Sequence, residues 1–140
     1  MPRLIGKATG IRGEGAAMSG KWLAAAGMNG ACGVGFGAWA AHGAAEAIGV
    51  AAADWVRTGA QYQLWHAAAL LGLIAVSGRI RAWVGSCFCL GALLFSGSLY
   101  AMALTGWHWI ALVTPFGGLI MLFGWLLLLG YGLKTWQRTR

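Results

Sequence analysis

AWVGSCFCLGALLFSGSLYAMAL, residues 82–104, runs for 23 positions without an Asp, Glu, Lys or Arg. A helix needs about 20 apolar residues to cross a hydrocarbon core about 30 Å thick, so this stretch reads as a membrane span. Gly85, Cys89, Ala92 and Ser96 recur along one side of it at helical spacing. Small residues placed this way let two helix backbones approach closely, which is what drives helix association in lipid.

Reading outward toward the C-terminus, Thr105 to Val113 is uncharged and carries Trp107, His108 and Trp109, as expected of an aromatic belt at the membrane surface. Thr114 and Pro115 then read as N-cap and first helical residue. The next span is expected over 115–133, with Gly117 and Gly124 one heptad apart for packing, and a basic tail over 134–140.

Reading toward the N-terminus, Ser77 to Arg81 forms a short basic turn, preceded by a span expected over 61–77. Residues 43–59 hold Glu46, Asp54 and Arg57 among alanines and read as a short helix lying in the interface, broken by Gly59. A first span is expected over 22–42, packing through Gly30, Gly33 and Gly37 in a stripe that includes Ala26 and Ala41. Residues 1–21 read as a flexible basic tail, with Met18 as a second plausible start. The apolar run after it is long for a signal peptide, so cleavage after Ala38-Trp39-Ala40 is not expected.

Composition agrees with four spans in 140 residues: 59% of the chain is hydrophobic, 9% is charged, and the mean hydropathy is +0.69. An average soluble domain is about one-quarter charged. The formal charge of +7 does not point to nucleic acid, because the ten Lys and Arg sit in tails and one turn. Four precede the first span, two lie in the Arg79/Arg81 turn and three follow the last span, which leaves Arg57 alone on the opposite side. The positive-inside rule therefore places both termini in the cytoplasm. Cys32, Cys87 and Cys89 fall inside apolar runs and form no zinc or disulfide pattern; Cys87 and Cys89 point about 200° apart around a helix.

Polar groups gather in TGAQYQLWHAAAL, residues 58–70. Tyr62, Gln63 and His66 fall within about a turn and a half, so they can share a face that looks into the bundle. With His42 and Gln61 they form the candidate polar cluster. One reading is a site for a quinone headgroup, a haem, a metal or a proton; the other, preferred here, is a hydrogen-bonded cluster that fixes helix packing. His42 and Glu46 are four apart, but Gly43 makes a continuous helix between them doubtful, and no metal site is expected. The spans contain no Asp, Glu, Lys or Arg, which usually mark proton-coupled pumps and voltage sensors. No phosphate-cradling loop or Ser/His/Asp set is present, so no enzyme activity is expected.

Four stretches, GAWAAHG (37–43), TGAQYQLWHAAALL (58–71), LFSGSLYAMALTG (94–106) and TPFGGLIMLFGWLLL (114–128), occur in an order and spacing that resemble the YgdD family of small inner-membrane proteins of unknown function. The resemblance runs from about Trp22 to Leu133. It implies four transmembrane helices in the bacterial inner membrane and no assigned activity. Trp39-Ala40 departs from it, where something closer to Phe-Gly is expected, and the N-terminal tail is longer than the family needs.

The expectation is an all-α integral membrane four-helix bundle acting as a structural or accessory subunit without a cofactor. Its expected partners are membrane lipid and either a larger membrane complex or further copies of the chain. The alternatives are a ligand-binding module at the His/Tyr cluster and an oligomeric channel for a small solute.

Overall fold

The computed structural model describes the backbone from Arg3 and side chains from Gly20 to Arg140. Arg3, Lys7, Arg12 and Glu14, on which the reading of the tail rests, lie outside the described side chains. Every described element is helical: α1 (Arg3–His42), α2 (Ala44–Ile48), α3 (Val50–Gly72), α4 (Arg79–Thr105) and α5 (Thr114–Arg138). Short 3-10 turns over Leu73–Ala75 and His108–Leu112 fill two of the connections.

The segment between the first two spans differs from its expected form. Residues 43–59 hold a turn at Gly43, the five-residue α2 and the first turns of α3. The break falls at Gly49, whose φ of 87° suits glycine, and not at Gly59. Gly59 stays helical because it serves a different purpose. A Cβ there would lie 2.7 Å from Cε1 of Tyr100, so the missing side chain makes room for that ring. The helix that carries the expected second span therefore begins eleven residues before Gln61 and extends for 23 residues, about 34 Å at 1.5 Å per residue.

The other boundaries shift outward as well. α4 takes Arg79 and Arg81 into its first turn and ends at Gly106, a left-handed C-cap whose N–H donates to the carbonyl of Met102 at 2.9 Å. α5 carries its helix through Lys134 to Arg138. Val113, and not Thr114, occupies its N-cap, with no side-chain capping bond, while Pro115 sits in the first turn. The Thr114 hydroxyl meets Ser98 Oγ at 2.7 Å instead. Ser98 already donates to the Phe95 carbonyl at 2.8 Å, so Thr114 is the donor of that pair.

The four long helices stand side by side: α1 against α3, α3 against α4, and α4 against α5, with α1 and α4 touching lightly. Two apolar clusters hold the interior. Ala26, Leu70, Leu73, Val84 and Phe88 pack with Trp22 at the basic end, and Ala40, Val56, Tyr100 and Ala103 pack with Phe36 and Trp39 at the other. α4 and the His108–Arg138 region are each long and apolar enough to cross a membrane. Half of the most apolar stretch of α4 is buried, against 17% for the latter region, whose Phe116, Leu119, Phe123 and Leu126 point outward. Such a face suits acyl chains.

Candidate functional site

A polar layer lies between the two apolar clusters. Gln63, which is buried, accepts a hydrogen bond at Oε1 from the Tyr100 hydroxyl at 2.8 Å. The Tyr100 ring rests on Gly59 and stacks on Phe36 with centroids 3.9 Å apart. One helical turn earlier on α4, the fully buried Ser96 donates to the Gly59 carbonyl at 2.8 Å. This bond ties α4 to a backbone oxygen of α3. Without water, each such group needs a partner inside the protein, and here each has one.

His66 turns toward α5. Its Nδ1 lies 2.8 Å from the carbonyl of Tyr62, one turn back on α3; a carbonyl only accepts, so Nδ1 carries the proton. That leaves Nε2 as an acceptor, and the indole N–H of Trp125 donates to it at 3.3 Å. Both ring nitrogens are engaged, and the residue is 4% exposed. A metal or haem iron at this histidine would have to displace Trp125 from the Nε2 lone pair.

Beside this pair, a groove of about 260 Å³ is lined by Tyr62, His66, Phe95, Gly118, Met121, Leu122 and Trp125. Tyr62 lies along it, its ring centroid 4.3 Å from that of Phe95. Of the expected cluster, then, Tyr62 and His66 share this groove, while Gln63 faces Tyr100. Gln61 and His42 are exposed. The turn at Gly43 interrupts the helical spacing of His42 and Glu46, and no group of three His, Cys, Asp or Glu able to hold a metal occurs among the described residues. His108 meets Trp55 edge to face at 5.7 Å.

The packing glycines expected from sequence lie at helix crossings. Gly30, Gly33 and Gly37 face Ala67, Leu64 and Ala60 of α3; Gly117 faces Gly91 and Phe95, and Gly124 faces Phe88, all on α4. Trp125 was not singled out in the sequence. Its signal was position: a tryptophan in mid-span, away from the interfaces that residue favours, has an N–H that needs a partner.

These features define an all-helical, multi-pass membrane protein with a polar interior joined by its own hydrogen bonds. Residues 36–118 match the family described as "Protein of unknown function (DUF423)". The chain is 44% identical over 100 residues to the UPF0382 inner membrane protein YgdD of Escherichia coli K12, covering 69% of this chain and 76% of that protein. It is 37% identical over 118 residues to a UPF0382 membrane protein of Haemophilus influenzae, covering 82% and 94%. A UPF0382 membrane protein of Staphylococcus saprophyticus is 36% identical over 104 residues, covering 72% and 87%. No solved structure matches the chain. The protein belongs to the DUF423/UPF0382 family and is an inner-membrane protein.

Proposed function

We propose that the protein is a non-catalytic accessory subunit that packs against a membrane partner through the outer flank of α1. The observation that carries this reading is a contrast between the two outermost helices. The exposed flank of α1 presents Gly20, Ala24, Gly27, Ala31, Gly35 and Ala38 beside the exposed Leu23, Met28 and Val34, and a Cβ at Gly27 or Gly35 would meet nothing within 4 Å. The exposed flank of α5 is bulky, with Phe116, Leu119 and Leu126 more than half exposed. Since helices associate in lipid by close packing of small residues, the α1 flank fits a partner helix and the α5 flank fits lipid. The polar layer adds support, because its Gln63–Tyr100 and Ser96–Gly59 bonds join α3 to α4 as packing contacts.

The test is Gly35→Leu on the α1 flank against Leu126→Ala on α5, with each variant's assembly read by native gel mass. Gly35→Leu is expected to leave the fold intact and lose the higher-mass species, while Leu126→Ala retains it. The same mass for Gly35→Leu would overturn the assignment.

A second reading rests on the groove beside His66, whose aromatic walls fit a flat, lipid-soluble ring such as a quinone headgroup. Solvent extraction of the purified protein would show stoichiometric quinone if this reading holds. A quinone-free extract would remove it.

A further inference from the structure

Two buried side-chain nitrogens have no hydrogen-bond partner among the described residues: Nε of Arg81 and Nε1 of Trp22. Both belong to the basic end of the helices. The Trp22 indole lies against Gly85, one helical turn beyond Arg81 on the same side of α4. Both atoms are donors. An unsatisfied buried polar group in a native fold calls for an explanation, such as a ligand or ion.

Charge sharpens the point. Arg81 is 8% exposed, and a charge so buried is ordinarily paired. Among the described residues the side-chain carboxylates are Glu46 in α2 and Asp54 near the start of α3, both at the opposite end, and Asp54 pairs with Arg57. Arg81 also stands in the first turn of a 27-residue helix, beside Arg79. That turn carries the positive end of the helix dipole and amide N–H groups that no side chain caps. Two arginines there oppose the dipole unless an anion joins them.

We propose that the N-terminus of α4 binds the phosphate of an anionic phospholipid, with the Arg81 guanidinium and the amides of Arg79 and Ile80 as its donors, the Arg81 amide being taken by the Gly78 carbonyl at 3.3 Å. Helix N-termini bind phosphate through these same groups, and arginine matches phosphate geometry with two parallel hydrogen bonds. The lipid source follows from position: Lys21, Arg79, Arg81 and Lys134 gather at the end where the spans leave the hydrocarbon, the level of lipid headgroups.

The experiment titrates the full-length protein, in a neutral detergent, with phosphatidylglycerol, phosphatidylcholine or inorganic phosphate. It reads the shift in Tm and, by native mass spectrometry, the lipid retained. Phosphatidylglycerol is expected to raise Tm and to be retained in preference to phosphatidylcholine, and Arg81→Gln is expected to weaken its binding about tenfold, a change of one charge-assisted contact. Arg81→Lys, which keeps the charge without the fork, is expected to fall between the two. Should Arg81→Gln fail to fold, the lysine variant and the retention preference of the native protein carry the test. An equal shift with inorganic phosphate would overturn the lipid source, and an equal shift with phosphatidylcholine would overturn anion recognition. An unchanged lipid response in Arg81→Gln would overturn the site.

Discussion

Gly91 of α4 and Gly117 of α5 face each other so closely that a Cβ on either would lie within 2.9 Å of the other's carbonyl oxygen. Any side chain at this crossing must push backbone away from backbone. α5 packs mainly on α4, so no other helix makes up for the loss. Gly117→Val is therefore expected to destabilise the protein by about 1–3 kcal/mol, the range for overpacking a tight site. Gly130→Ala, where a Cβ meets nothing within 4 Å, serves as the control and should leave stability unchanged or slightly raised. Thermal unfolding in one detergent compares them, and equal Tm values would contradict the crossing.

The Tyr100–Gln63 bond joins α4 to α3 inside the polar layer. Tyr100→Phe keeps the ring on Gly59 and Phe36 but leaves a buried amide oxygen without its donor. The expected loss is about 1–3 kcal/mol, the cost of an unsatisfied buried group. Gly59→Ala acts on the same contact from the other side and should also lower Tm, because the ring must shift. Wild-type stability in both variants would remove the polar layer as a structural element.

The engagement of His66 can be read by chemical modification. His42 and His108 are exposed, and His66 is buried with Trp125 on its Nε2. Diethylpyrocarbonate should modify His42 and His108 first and His66 slowly. Trp125→Phe removes the indole N–H while keeping much of the ring bulk, so it should speed modification of His66 several-fold. Peptide mass mapping gives the three rates separately. Equal rates at His66 in both proteins would show that the tryptophan does not guard that nitrogen.

The bias of nine basic residues to one side against Arg57 on the other predicts that Gly78 and Arg140 lie in the cytoplasm and Gly49 outside. Reporter fusions at these three positions check the orientation. An outside signal at Gly78 with an inside signal at Gly49 would invert it.

Much of this architecture is legible in the residues themselves. The charge-free run over 82–104 marks α4, and the glycines of α1 and α5 mark where helices cross. Glycine is also where the reading failed, because the same residue serves two physical purposes. Gly49 breaks a helix through its backbone conformation, whereas Gly59 stays inside one and makes room for a tyrosine 41 positions away. Only the fold brings Tyr100 to Gly59, so local sequence favours neither role. Thr114 shows the same limit: its place before a proline suggests a cap, but Ser98 on the neighbouring helix takes its hydroxyl. Within the candidate cluster, helical spacing places Tyr62 and His66 side by side. It does not reveal that Gln63 turns to Tyr100 or that His66 meets Trp125, since both partners lie on other helices.

The accessory role is tested most directly by the mass of the native particle. The protein, expressed at its natural level and extracted in a mild detergent, is separated by size with light scattering to subtract the micelle. The account predicts a particle heavier than the 14.6 kDa chain, containing a stoichiometric membrane partner, and its dissociation by Gly35→Leu. A stable 14.6 kDa monomer with no companion, unchanged by that substitution, would contradict it.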